Sequence, residues 1–432
     1  MQIHVVQQGE TILTIAERYK IPVQKLILDN ELINSAELVP GQTIVITYPS
    51  KTYIVQEGDD LFSIARMHNV SVMQLLRNNP VLAGRQYIFP GEELIISYDT
   101  HGSLQTYGFA YPFIDTEILR KTLPNLTYLS VINYRALHEG NITSVYDDRQ
   151  IITMCKEYGT VPLLMITSLS ECGEADPTIV YSLLSNEDYL NRHMEELLNA
   201  VKEKGYLGVN FVFTFMNTIN QNLYNSLIKK AADIIGSEGY LIHVTINPNI
   251  NTRDGKAVFE HIDYSEISKY ADSVTFLQLL WSLHYGPPQP ISNAAHLKSF
   301  VEYAINYVPP EKFALGKPIL AYNWIIPYSP NNPTAFTLTV NSAISLAVDA
   351  KVDIQFDEQS QTPYFEYIQS PVGFPVKHIV WFIDARSLAA LLDLIQEYNM
   401  VGAAAWNIMV YSAQLWLMIN SEYDVIKLLP TI

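Results

Sequence analysis

Two short stretches carry polar groups at one repeated spacing. Gly9-Glu10-Thr11-Ile12 is followed by Asn30, and Gly58-Asp59-Asp60-Leu61 is followed by Asn79. A glycine backbone, a carboxylate and an amide can together hydrogen-bond the acetamido and hydroxyl groups of a sugar. Each Asn can equally do no more than end a helix, as Asn often does. Other chemistry-bearing residues show little pattern. The two cysteines, Cys155 and Cys172, are too few for a disulfide framework, and a metal site would need neighbouring ligands, so both read as ordinary thiols. The ten histidines form no H-x-x-x-H pair, so no metal site and no cofactor is expected. The 28 tyrosines suit a surface that stacks on sugars, and equally an aromatic core.

The elements that position the two stretches repeat as well. Residues 5–16 read VVQQGETILTIA and residues 54–65 read IVQEGDDLFSIA, an offset of 49. The offset carries Ile12, Ile15 and Ala16 onto Leu61, Ile64 and Ala65, and Val23, Leu26, Ile27 and Asn30 onto Val72, Leu75, Leu76 and Asn79. One inserted residue later, Pro40-Gly41 matches Pro90-Gly91. Each copy reads as strand, helix, helix, strand. Thr11 and Asp60 are placed to cap the first helix, with apolar residues at i, i+3 and i+4 behind them.

Here the sequence resembles the LysM family over nearly all of residues 2–97, twice. The resemblance implies binding of N-acetylglucosamine chains of peptidoglycan or chitin. The groove would lie between Gly9–Ile12 and Asp29–Ile33, and between Gly58–Leu61 and Asn78–Leu82.

Residues 98–432 alternate β-rich runs with helical stretches. Eight strands are expected: Thr106–Ala110, Tyr128–Asn133, Pro162–Thr167, Gly208–Phe215, Tyr240–Ile246, Ser273–Leu279, Phe313–Ala321 and Gly402–Ile408. Several are continuously apolar, as strands covered on both faces are. Eight such units fit an α/β fold of the TIM (β/α)8 barrel type, with a doubly wound sheet as the alternative. The domain reading is 1–48 and 52–98 for two small βααβ modules and 101–432 for the barrel, with a small insertion lobe near 325–380.

The barrel also resembles a known family, glycoside hydrolase family 18, and within it the LysM-bearing branch of spore cortex-lytic N-acetylglucosaminidases. The stretches that carry this are YGFAYPFI at 107–114, INYRALHEGNI at 132–142, GPPQPIS at 286–292, AYNWIIPY at 321–328, IQFDEQSQTPYFEY at 354–367 and VWFIDARS at 380–387. The resemblance implies a sugar cleft at the strand C-termini, with Tyr111, Tyr134, Arg135, Trp281, Asn323, Trp324 and Asp384 as lining candidates and Trp406 as its floor. It also implies D-x-x-D-x-D-x-E at the end of strand four, whose Glu protonates the leaving oxygen and whose preceding Asp positions the attacking substrate acetamide. Aligning Gly208-Val209-Asn210 puts Val212 at that Asp and Thr214 at that Glu. No Asp or Glu occurs from Gly205 to Ala232, so no shift of register restores the pair. Counting back from Gly286 places Leu279 and Leu280 where the family has Tyr and an acid. A threonine hydroxyl cannot act as general acid near neutral pH.

Three functions stay open on this reading. One is a non-catalytic glycan binder. Another is a weak N-acetylglucosaminidase using another acid, such as Glu139, Asp115, Glu358 or Asp384. The third is a wall scaffold with a protein partner. The net charge of −17 argues against nucleic acid, which needs a basic footprint. No apolar run reaches the ~20 residues of a membrane span, so no membrane partner is expected. No leader is apparent at Met1, and a spore or cell-wall location follows from the resemblance alone.

Overall fold

The computed structural model describes all residues except 33–36, 86, 169–175, 279–285, 332–333, 371–373 and 431–432. Eight parallel strands form a closed barrel: β1 (Ser103–Ala110), β2 (Tyr128–Ala136), β3 (Val161–Thr167), β4 (Gly208–Phe213), β5 (Leu241–Ile246), β6 (Ser273–Leu277), β7 (Phe313–Pro318) and β8 (Gly402–Trp406). Each pairs with the next, and β8 pairs with β1 to close the circle. Alternation sends one set of side chains inward and the other against the surrounding helices. The inner set includes Tyr107, Phe109, Tyr128, Ile132, Leu163, Met165, Val212, Leu277, Ala404 and Trp406. The outer set, such as Val209, Phe211, Phe276 and Leu315, packs with the helices. Burial pushes the inward His243 imidazole down to about 3, so it is neutral.

The fourth, sixth, seventh and eighth expected strands were drawn too long, β4 ending at Phe213 and β8 at Trp406. β7 ends at Pro318, where Ile319 N donates the last ladder hydrogen bond to Trp406 O of β8 at 2.7 Å. Residues 321–382 belong to a separate lobe. Its antiparallel sheet runs Phe336–Leu338, Ala321–Ile326, Val376–Phe382, Thr362–Gln369 and Gln355–Asp357, with the helix Val340–Ala350 packed on it. β6 is described to Leu277, and Leu279 lies outside the described residues.

Each N-terminal module folds as expected. Gln2–Val5 pairs antiparallel with Thr43–Ile46, and Lys51–Ile54 with Glu93–Ser97. Thr11 with Thr14, and Asp60 with Ser63, form capping boxes on the helices Ile12–Tyr19 and Leu61–His68. The modules are docked on the barrel. Val45 joins its outer core, and Val39 joins the lobe core. Gln414 Nε2 donates to Thr43 O at 2.8 Å, Lys121 pairs with Glu31, and Asn420 Nδ2 donates to Arg77 O at 3.2 Å.

Lys317 on β7 points outward into this packing, and its Nζ donates to Ser387 O at 2.9 Å. Burial pushes its ammonium down to about 8, against a smaller upward pull from Asp384. Below pH 8 both folded and unfolded chains hold this proton, and the full cost of burying the charge is present. Between about pH 8 and the ordinary lysine value the folded chain sheds the proton first, so this cost is relieved as pH rises. Lys317→Met is therefore expected to stabilise the protein relative to wild type at pH 7, with the difference shrinking by pH 10. Chemical denaturation of both proteins at the two pH values checks it; a difference that grows with pH would refute it.

Candidate functional site

In the second module, Asp59, Asp60 and Leu61 face Leu82, Arg85, Tyr87 and Ile88 across a recess of ≈ 100 Å³. This lies between the two loops that the sequence marks. Arg85, Tyr87 and Ile88 were not anticipated; the available signal was an aromatic just past the second helix, and Tyr87 is strongly exposed. In the first module, Ile33 of the expected loop lies outside the described residues.

The polar loop residues mostly brace the loops. Glu10 accepts from Gln7 N and from His4 Nε2, both at 2.8 Å, and pairs with Arg18. Burial raises its carboxyl, but these donors outweigh that and hold it below the usual range. Asp59 accepts from Gln56 N and Tyr53 Oη, both at 2.8 Å. Asn30 and Asn79, expected as sugar ligands, have a different role. Asn79 Nδ2 donates to Leu75 O and Ile95 O, and Ile95 N donates to Asn79 Oδ1, all at 2.8 Å. Asn30 repeats this with Leu26 and Val45. Each amide ties the end of the second helix to the last strand. Asn79→Ala would leave buried backbone groups of Ile95 unpaired and is expected to cost about 2–4 kcal/mol. A thermal melt within a degree of wild type would show that the amide does not hold the module together.

In the barrel, β4 sends Asn210 and Val212 inward because Val209, Phe211 and Phe213 pack outward. Asn210 Nδ2 donates to Ser130 Oγ at 2.8 Å and its Oδ1 accepts from Thr245 Oγ1 at 3.0 Å. Val212 is 8% exposed and shares the inner cluster with Phe109 and Trp406. Thr214 follows the end of β4 and is half-buried. None of the eight strands contains an Asp or Glu.

The cleft candidates separate into two groups. Tyr111, Arg135 and Trp406 are on the inner face at the C-terminal mouth. Tyr111 stacks on exposed Phe113 at 5.1 Å, and Phe113 meets exposed Tyr146 at 4.9 Å. Trp406 is only 5% exposed, with its ring 5.3 Å from Phe109, so it closes the top of the inner core and presents no open face. The others lie elsewhere. Tyr134 points outward and donates to the buried Asp148 carboxylate at 2.8 Å. Trp324 is 2% exposed in the outer core. Asn323 is locked between Tyr367 Oη and His378 Nδ1 inside the lobe. Asp384 caps the helix Ala385–Glu397 and pairs with Arg386 at 2.7 Å. Among the acids considered as substitutes, Asp115 caps the helix Thr116–Thr122, while Glu139 and Glu358 are exposed. Leu279, Leu280, Trp281 and Cys172 lie outside the described residues. A further cleft of ≈ 280 Å³ opens between the first module, the lobe and the exit of β8, away from β4.

A closed eight-stranded parallel barrel behind two small βααβ modules defines a LysM-bearing protein of the glycosidase barrel type. Residues 4–47 and 53–97 match the LysM domain, and residues 165–409 match glycosyl hydrolases family 18. The chain belongs to glycosyl hydrolases family 18. It is 31% identical over 434 residues to a cortical fragment-lytic enzyme of Bacillus subtilis, covering 99% of each chain. A cortical fragment-lytic enzyme of Bacillus anthracis is 28% identical, again over 99% of each. Among solved structures, the spore cortex-lytic enzyme SleL of Bacillus megaterium superposes with a TM-score of 0.78 at 28% identity, covering 99% of each chain. The LysM and barrel domains together support binding of a peptidoglycan- or chitin-type glycan. Among the described residues no helix is long and apolar enough to cross a membrane.

Proposed function

We propose that this protein binds N-acetylglucosamine-containing glycan of the spore cortex or cell wall and does not cleave it. The observation that carries this is β4, which turns Asn210 and Val212 inward and runs on into Thr214, with no Asp or Glu on any of the eight barrel strands. A general acid must reach the leaving oxygen in the right protonation state. An isopropyl group and a neutral hydroxyl cannot supply that proton. Binding is assigned first to the LysM modules, whose second recess is open between its two loops. Two linked modules gain avidity, because the second binding event is intramolecular. The spore location is carried over from the relatives' names.

Co-sedimentation with insoluble peptidoglycan and with chitin tests the reading. The full chain is expected to pellet with both polymers. Tyr87→Ala removes an exposed ring from the recess without touching the core, and should weaken binding about three- to tenfold. A full chain that stays in solution with both polymers would sink the proposal.

A further inference from the structure

We propose that Arg135 makes the barrel mouth a site for a carboxylate-bearing sugar, so that the barrel favours peptidoglycan over chitin; the inference rests on the glycan-binding reading above. A bulge in β2 creates the arrangement. Ile132 pairs with Met165 and Tyr134 with Ile166, leaving Asn133 as an extra residue. The phase of β2 flips there. Tyr134 and Ala136 join the outer core, and Arg135 between them turns inward. Without the bulge Arg135 would face the helices.

The row that Arg135 enters is neutral. Arg135 pairs with Thr167, and Ile166 pairs with Phe211, so the next step sets Thr167 beside Val212. Val212 in turn pairs with Thr245. Arg135 and Val212 are thus two strand spacings apart, about 10 Å between backbones. An Asp at 212, as the family motif has, would put a carboxylate in this row. Here the row holds two hydroxyls and an isopropyl group.

Among the described residues Arg135 has no hydrogen bond or ion pair, and its Nε is shielded from solvent with no acceptor. Three other shielded cations have partners within the fold. Arg386 has Asp384 and Gly41 O, Lys312 has the carbonyls of Ser268 and Ala271, and Lys427 has those of Leu123 and Leu126. A guanidinium keeps its charge across the working pH range and matches a carboxylate with two parallel hydrogen bonds. The partner is therefore expected on the ligand. Chitin carries no carboxylate. Peptidoglycan carries one on each lactyl ether, free or joined to a stem peptide that ends in others. The stacked Tyr111 and Phe113 rings at the same mouth offer apolar faces to the sugar.

Calorimetry on the full chain at low salt tests this with three probes. They are the N-acetylglucosaminyl-N-acetylmuramic acid disaccharide, the same disaccharide with its carboxyl amidated, and the disaccharide carrying a stem peptide. Wild type is expected to prefer acid over amide by about ten- to a hundredfold, a preference that falls as salt is added. Arg135→Gln should bring the ratio to about one. Val212→Asp should do the same by supplying an internal carboxylate. An Arg135-dependent gain seen only with the stem peptide would support the site and assign the carboxylate to the peptide. Equal affinity for acid and amide with no gain from the peptide overturns the inference. So does a preference that survives Arg135→Gln, or no binding of any probe. Co-sedimentation of the same preparation with chitin and with insoluble peptidoglycan separates the two readings. If it persists with either polymer while the preference is absent, only the Arg135 site falls; if it fails with both, glycan binding itself falls.

Discussion

Release of reducing sugar from cortex fragments or chitooligosaccharides is expected to run at least ~10²–10⁴-fold below that of a catalytically active relative assayed beside it. That is the usual loss when general acid catalysis alone is removed, and Thr214 offers no acid. Val212 removes a second contribution. An Asp before the acid would hold the substrate acetamide in line for attack, and positioning of this kind is a separate part of the barrier. The two losses act on one step and need not multiply. Restoring the pair by Val212→Asp with Thr214→Glu is expected to recover little. Val212 is enclosed with Phe109 and Trp406, so a carboxylate there would be desolvated among apolar side chains. Turnover by the wild type within about tenfold of the relative would refute the loss of catalysis. It would turn attention to Glu139 and Glu358, whose side chains are exposed and do not cap helices.

Much of this architecture was legible in the chain. The offset of 49 fixed both modules, because a βααβ unit needs the same apolar residues in the same order each time. The apolar runs marked all eight barrel strands, since a strand covered on both faces has few other solutions. In strand four Gly208-Val209-Asn210 sets the alternation that turns Val212 inward, but the strand stops at Phe213 and not at the expected Phe215. Motif resemblance did worse at assigning faces. It named INYRALHEGNI as a cleft stretch, yet the bulge at Asn133 sends Tyr134 outward and Arg135 inward. A bulge is one extra residue, and nothing in the local composition announces it. Asn323, Trp324 and Asp384 lie in matching stretches for packing reasons, in the lobe interior, the outer core and a helix cap. Asn30 and Asn79 had two readings, and their buried amides hold the backbone. The docking of the modules on the barrel was not legible at all, because Gly41 and Thr43 bond Arg386 and Gln414, 345 and 371 residues away.

That docking has an internal control in the repeat. Gly41 and Gly91 occupy the same Pro-Gly turn, with φ of +88° and +90°, a region that other residues enter only with strain. In the second module a Cβ on Gly91 would meet nothing within 4 Å. In the first module a Cβ on Gly41 would lie 1.8 Å from the backbone oxygen of Ile354 in the lobe. Backbone cannot move aside as a flexible side chain can. Around the same turn Ile354 N donates to Pro40 O at 2.9 Å, and Arg386 Nη2 donates to Gly41 O at 3.0 Å. Gly91→Ala is therefore expected to cost only its backbone strain, about 1–2 kcal/mol. Gly41→Ala adds the clash, and relieving it breaks both hydrogen bonds at roughly 1 kcal/mol each. Its cost should reach about 3–4 kcal/mol, and the first module should separate from the lobe. Denaturant melts of the two variants give the energies, and hydrogen exchange at the Ile354 amide reports the contact itself. That amide should lose its protection in Gly41→Ala and keep it in Gly91→Ala. Two variants with the same stability and the same protection at Ile354 would show that the turn serves conformation alone and does not lock the module in place.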